Sequence, residues 1–217
     1  NIGPGFGYIE SVILSALLRD KKPIKIIEIG SGISTAIIID SLKKNGKEFQ
    51  FWSIEPFPNK NLLNYFNNNN CKISKNFAED MNVQELVEFQ PDFLFIDSTH
   101  AVKPLGDVEF IYTRLLPKLS NIIIHIHDIF FPYLYQNNLR NDQFFQWCET
   151  QMLYCYLLNN DKSKLLLSLP QIFHDKKNKV FSELFENWKE PKFKDGFKID
   201  SGKNLDEYFP ASVYLLQ

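Results

Sequence analysis

Seven short runs of apolar residues, most of them closed by a polar residue or a glycine, constrain this chain more than any other feature. They are Ile24–Ile29, Phe49–Ile54, Cys71–Ser74, Asp92–Asp97, Asn121–Asp128, Leu165–Ser168 and Ser212–Leu216. Each is the length of a strand, and the strongest are β-branched or aromatic with little alternation, as in strands buried on both faces. Helix-period stretches alternate with them. Ile9, Val12, Ile13, Ala16 and Leu17 share one stripe; a segment from Ser34 or Thr35 to Gly46 carries a cap at one end and a glycine stop at the other. Further helices are expected over Pro58–Phe66, on the face of Leu105, Val108, Tyr112, Leu115 and Leu116, and over Asp142–Leu158. Five strand–helix units followed by two strands without a good crossover helix predict an α/β fold. It is a doubly wound, mostly parallel sheet of seven strands with an antiparallel edge strand.

Length and composition fit one such domain. The 217 residues are 44% apolar and 23% charged, with a net charge of −2, which excludes a disordered chain and gives no basic footprint for nucleic acid. Three scattered cysteines, Cys71, Cys148 and Cys155, exclude a disulfide scaffold. The longest apolar runs, such as Ile122–Ile124 and Leu165–Leu167, fall far short of the ~18 residues a membrane span needs. A cytoplasmic protein is expected. The first residue is Asn1 rather than Met, as expected of a fragment or a processed chain. Three sections are expected within the single domain 1–217: an N-terminal helix (1–23), a binding core (24–135), and a C-terminal section (136–217). The last holds a helix, a Lys-rich cover over Lys176–Asp206 and the final two strands. Twenty Phe and nine Tyr raise the aromatic share to 15%; rings close to a polar site could stack on a ligand, and otherwise they are core.

Ligands of open α/β sheets bind outside the carboxyl ends of the strands. Here those ends are Glu28–Thr35, Glu55, Asp97–His100 and His127-Asp128, all rich in polar residues or glycine. In the first loop Gly30 and Gly32 permit a tight turn and close approach of backbone to ligand. Glu55, at the end of the second strand, is placed to accept both hydroxyls of a ribose. A dinucleotide site asks for a third glycine where Thr35 stands. An acidic Glu28 before the loop favours a cationic ligand such as S-adenosylmethionine. A dinucleotide and a purely structural turn remain as alternatives. Asp80, in a loop further along, is a candidate for the adenine edge. His125 alternates with isoleucines and reads as a core or partner-facing histidine; His174 and Lys103 read as surface residues.

The motifs Glu28-Ile-Gly-Ser-Gly-Ile-Ser-Thr35, Ile54-Glu-Pro56, Phe95-Ile-Asp-Ser-Thr-His100 and His125-Ile-His-Asp-Ile-Phe-Phe-Pro132, in this order, resemble the class I S-adenosylmethionine-dependent methyltransferases. Within them they resemble the bacterial branch that includes macrocin-type sugar O-methyltransferases and cephalosporin-hydroxylase-like proteins. The resemblance implies a Rossmann-like methyltransferase sheet. S-adenosylmethionine would be bound by Glu28, Gly30, Ser31, Gly32, Ser34, Thr35, Glu55 and Asp80. It implies O-methylation of a small-molecule or glycan acceptor, with Asp97 and Asp128 holding a divalent metal, magnesium or manganese, and His100 as general base. His127 stands where that branch has an acidic residue. An imidazole suits manganese, iron, nickel or zinc better than magnesium, and a metal-free site is the alternative. The chemistry asks for such groups: an alcohol is a poor nucleophile until its proton is taken or its oxygen polarised. A homo-oligomer is left open. The competing functions are a catalytically inactive binding module in glycan or secondary-metabolite synthesis and, less favoured because of Thr35, a nicotinamide-dependent oxidoreductase.

Overall fold

The computed structural model describes residues 6–69, 71–135, 146–174 and 210–217. The elements run α1 Tyr8–Lys21, β1 Lys25–Ile29, α2 Ile33–Lys44, β2 Gln50–Ile54, α3 Lys60–Asn68, β3 Lys72–Ser74, α4 Val83–Glu88, β4 Phe93–Ile96 and α5 Asp107–Phe110. The last of these continues as one wide π turn, Ile111–Leu115, and a 3-10 turn, Leu116–Lys118. Then follow β5 Ile123–His127, α6 Glu149–Leu157, β6 Lys164–Ser168, α7 Leu169–His174 and β7 Ser212–Leu216.

The strands form one sheet in the order β3-β2-β1-β4-β5-β7-β6. All pairings are parallel except those of β7, which runs antiparallel to both β5 and β6. The expected seven-stranded α/β sheet with an antiparallel edge is therefore present: β7 lies between β5 and β6, and the edge strand β6 pairs antiparallel with it. Chain order reverses between β1 and β4, which makes their carboxyl ends the switch point of the sheet.

The two-residue period of the strands sorts side chains onto two cores. Ile26, Phe93, Phe95 and Tyr214 face α1, α2 and α3. Ile27, Ile29, Leu94, Ile96, Ile124, Ile126 and Val213 face α4, α5 and α6. His125 and His127 therefore share the α1 side with Phe95. His125 is fully buried there, stacked on Tyr214 at 4.2 Å with an edge-on contact to Phe95 at 4.7 Å. Both its ring nitrogens lack a hydrogen-bond partner among the described residues, and burial together with nearby His127 holds its pKa well below the usual histidine value.

Local chemistry explains several boundaries. Helix α1 buries more than the stripe read from the sequence: Leu14 and Leu18 are completely covered, whereas Ala16 and Leu17 are only half-buried. The N-cap of α2 is Gly32, not Ser34 or Thr35. Those two hydroxyls lie inside the first turn and donate to Glu28 instead (3.0 and 2.7 Å). Asn59 caps α3 by accepting from Leu62 N–H, so that helix starts after Pro58. Helix α6 begins at Glu149, and residues 146–148 before it are not helical; the earlier part of the expected Asp142–Leu158 helix lies outside the described residues. So does the Lys-rich cover at Lys176–Asp206.

Candidate active site

Gly30 follows β1 and Asp97 follows β4, so the switch point brings them together. Gly30 has φ +79°, and a Cβ there would lie 2.1 Å from the Asp97 carbonyl oxygen. Both the backbone angle and the space demand glycine. Gly32 is different. Its φ of −168° is extended, and a Cβ would meet no protein atom within 4 Å. The fold does not require glycine at that position, and that side of the loop is open.

Beside this turn lies a cleft of about 260 Å³, lined by Gly30, Glu55, Phe57, Phe77, Ala78, Glu79, Asp97, Thr99 and Lys103 among others. Glu55 takes N–H bonds from Ser31 (3.1 Å) and Phe57 (2.8 Å), one on each oxygen. Each oxygen keeps a further lone pair for a ligand hydroxyl. Phe57 is 77% exposed and Phe77 46%; their rings meet edge-on at 5.5 Å and form an apolar rim. Neither ring was singled out by sequence, because a lone Phe after a strand has no motif. Two other hollows lie elsewhere. The one lined by Gln90, Asp92 and Asn121 is at the amino ends of β4 and β5, the wrong end for a ligand of this fold.

The sequence-derived cofactor residues divide in two. Gly30 and Glu55 line the cleft. Glu28 does not: it is fully buried under the loop, with its oxygens held by Ser34 and Thr35. Burial raises its pKa to about 8, against the opposing hydrogen bonds of Thr35, Ser34 and Ser31. Glu28, Ser34 and Thr35 thus fasten the start of α2 to β1. Ser31 is held through its N–H by Glu55 and through its hydroxyl by Ser53. Asp80 is exposed in a 3-10 turn; its neighbours Ala78 and Glu79 line the cleft and it does not.

Beyond the cleft floor, two histidines and two aspartates converge. His100 Nε2 is 3.4 Å from Asp97 Oδ1 and 3.5 Å from Asp128 Oδ2. His127 Nδ1 is 3.4 Å from Asp97 Oδ1 and 3.7 Å from Asp128 Oδ2. Asp97, His127 and Asp128 each offer a ligand atom, all within 4.8 Å of one another. The aspartate side chains are 39% and 29% exposed, whereas both imidazoles are buried. His100 and Asp128 adopt left-handed backbone conformations (φ 59° and 53°), which cost energy and cluster at functional sites.

Each imidazole is backed by a buried glutamate on a flanking helix. Glu149, the first residue of α6, lies 2.8 Å from His100 Nδ1 and also accepts from the Ser98 hydroxyl at 2.5 Å. Glu10 of α1 lies 3.2 Å from His127 Nε2. The α6 N-terminus donates Cys148 and Glu149 N–H to the His100 carbonyl (2.8 and 3.1 Å). Asp107 accepts from Thr99 N–H and hydroxyl (2.6 and 2.7 Å). The Asp97–His100 loop is thereby fixed from two helices.

The electrostatics follow from these contacts. Burial opposes a charged His100, but Asp97, Glu149 and Asp128 outweigh it and raise its pKa to about 10. His127 is likewise held well above the usual histidine value, against burial, by Glu10, Asp128 and Asp97. Burial pushes Asp97 up, yet the two imidazoles bring it well below the usual carboxylate range. Asp128 is pushed up to about 6, because burial and the neighbouring carboxylates outweigh the histidines.

The aromatic segment after β5 mostly serves packing. Phe130 and Tyr135 are buried with Ala211, and the Tyr135 hydroxyl accepts from Thr150 N–H. Among the described residues, Trp147 brings its ring against the polar cluster, 4.4 Å from the His100 ring. Lys103, read from the sequence as a surface residue, stands at the cleft rim.

Residues 27–129 match the sequence profile of the family described as Methyltransferase domain; the match runs from β1 to the residues just after β5. No curated protein sequence matches the chain significantly. Among solved structures, an O-methyltransferase from Bacillus cereus in complex with SAH is similar with a TM-score of 0.54 at 15% identity, over 75% of this chain and 74% of that one. The plantazolicin methyltransferase BamL, in complex with a triazolic desmethylPZN analog and SAH, is similar with a TM-score of 0.53 at 16% identity, over 94% and 81%. A putative caffeoyl-CoA O-methyltransferase from Staphylococcus aureus gives 0.50 at 16% identity, over 75% and 80%. At these identities the likeness is one of fold. Residues 27–129 thus resemble a methyltransferase domain by sequence profile, and the chain shares the fold of the methyltransferase structures.

Proposed function

We propose that the protein transfers the methyl group of S-adenosylmethionine to a hydroxyl of a small molecule or glycan, with a divalent ion assisting. The observation that carries the reading is the adjacency, at one switch point, of the cleft and the buried His100. The cleft offers the Gly30 turn, the remaining lone pairs of Glu55 and the Phe57–Phe77 rim, against which an adenine could lie; Gly32, on the same loop, has an open side. Asp97 lines the same cleft and contacts His100, so acceptor and methyl donor would meet there.

The donor set Asp97, His127 and Asp128 fits a divalent ion: two carboxylates and one imidazole nitrogen surround one small volume. Such an ion polarises an alcohol oxygen and, by its charge, opposes protonation of His100. The chain's own groups do the rest. His100 presents Nε2 toward the acceptor side and gives its Nδ1–H to Glu149. The acceptor's hydroxyl proton passes to Nε2 as its oxygen bonds to the methyl carbon. The carbon–sulfur bond breaks with its electron pair on sulfur. The products are the methyl ether, S-adenosylhomocysteine and an imidazolium. Positive charge moves from sulfonium to His100, where Asp97, Glu149 and Asp128 favour it. Asp97→Ala tests the reading: transfer of labelled methyl from S-adenosylmethionine to acceptor fractions should disappear while cofactor affinity stays close to that of the unmodified chain. Loss of cofactor binding instead would place Asp97 in the cofactor site and remove it from the chemistry.

A further inference from the structure

Glu10 sits in the first turn of α1, 117 residues from His127 in sequence, and is buried among four donors. Its Oε1 accepts from Ala211 N–H (3.1 Å) and the Ser212 hydroxyl (2.6 Å). Its Oε2 faces Gly7 N–H (3.3 Å) and His127 Nε2 (3.2 Å). A carboxylate surrounded by a backbone N–H on each oxygen is an acceptor at both. His127 Nε2 must therefore carry the proton it shares with Glu10. The register of β5 against β7, which pairs His127 with Ser212, is what places Ser212 and the imidazole on the same carboxylate.

With Nε2 committed to Glu10, the other nitrogen, Nδ1, is the one turned toward Asp97 and Asp128. We propose that Glu10 is a positioning residue that fixes His127 as an Nδ1 ligand, making the site one for a nitrogen-accepting divalent transition metal of the manganese-to-zinc series rather than for magnesium. The inference rests on the divalent-ion part of the function proposed above. Carboxylate–imidazole–metal chains of this kind fix the tautomer and orientation of the ligand, and their outer carboxylates typically matter by 10–100-fold in metal affinity. Magnesium prefers oxygen ligands and keeps its waters; it would lean on Asp97 and Asp128 and be little affected by the tautomer of His127.

The Glu10→Gln variant tests this sharply. Ala211 N–H and the Ser212 hydroxyl hold the amide oxygen on their side, so the amide NH2 turns to His127 and asks Nε2 to accept. The proton then moves to Nδ1, where it blocks ligation. Cobalt(II) and magnesium are titrated calorimetrically into the full chain and the variant, and the cobalt d–d absorption is recorded. Cobalt affinity should fall by about 10–100-fold, with loss of the nitrogen-ligand signature, while magnesium and S-adenosylhomocysteine affinities are unchanged within error. Unchanged cobalt affinity, or equal weakening of cobalt and magnesium, would overturn the proposal. Should Glu10→Gln fail to fold, nitrogen-15 imidazole spectra of the unmodified chain with zinc decide: protonated Nε2 and metal-shifted Nδ1 support it, and the reverse overturns it. No metal binding by the unmodified chain also overturns it, and S-adenosylhomocysteine binding in the same samples shows separately whether the cofactor reading stands.

Discussion

Glu149 Oε2 lies 2.8 Å from His100 Nδ1, and this pair leaves Nε2 facing Asp97 and Asp128. The two residues come from different segments, 49 positions apart, and Glu149 is fully buried. Removing its charge removes one of the contributions that raise the His100 pKa. In Glu149→Gln the hydrogen bond can persist but the acidic limb of the rate profile should move to lower pH. A profile recorded between pH 5 and 10 for both proteins checks this; a limb that stays in place would separate Glu149 from His100 titration.

Glu149→Ala should be far more damaging than Glu149→Gln. Breaking a buried charge pair by deleting one partner costs ~3–5 kcal/mol, and His100 also loses its orientation. Denaturant unfolding should show a lower midpoint with an unchanged slope. Equal stability of the alanine variant and the unmodified chain would mean that the pair contributes little to the native state.

The two glycines of the first loop should respond in opposite ways. Gly30→Ala places a Cβ on the Asp97 carbonyl and puts alanine at φ +79°, a conformation that alone costs ~1–2 kcal/mol. It should lower the melting temperature or prevent folding. Gly32→Ala meets no protein atom, so it should melt close to the unmodified chain yet bind S-adenosylhomocysteine more weakly. Normal affinity in Gly32→Ala would show that the ligand does not approach that face of the loop.

Glu28 makes stability depend on pH. Its folded pKa, about 8, lies above the ordinary value of 4.5, so its contribution is fully present below about pH 4.5 and is lost as pH rises through about 8. The slope contributed within that window is ~1.4 kcal/mol per pH unit. Glu28→Gln, which stays neutral and can still accept from Ser34 or Thr35, should flatten the decline. The measurement is the unfolding free energy of both proteins at intervals from pH 5 to 9. Parallel curves would contradict a buried, proton-holding Glu28.

The parts legible in the sequence were those written locally. Ser212–Leu216 appears as a strand with those bounds because a β-branched and aromatic run carries its own signal. Asp97, His100, His127 and Asp128 announced themselves by standing at strand ends, and the sheet brings them together. Glu10 and Glu149 were illegible because their roles depend on distant partners. Glu10 lies beside an apolar helix stripe, and Glu149 reads as an ordinary acidic residue in a first helical turn. Glu28 was legible as important but not in its role: sequence places it beside the loop, and only the direction of its side chain, set by the period of β1, shows that it holds Ser34 and Thr35 instead of facing the cleft. The position of β7 inside the sheet was equally hidden, since strand order is a matter of long-range pairing.

Calorimetric titration of the full chain with S-adenosylmethionine and S-adenosylhomocysteine tests the central claim most directly. Saturable one-to-one binding of both in the micromolar range is expected, weakened by Gly32→Ala and by Glu55→Ala. No heat of binding from either compound at high micromolar concentration, with the chain folded, would contradict it.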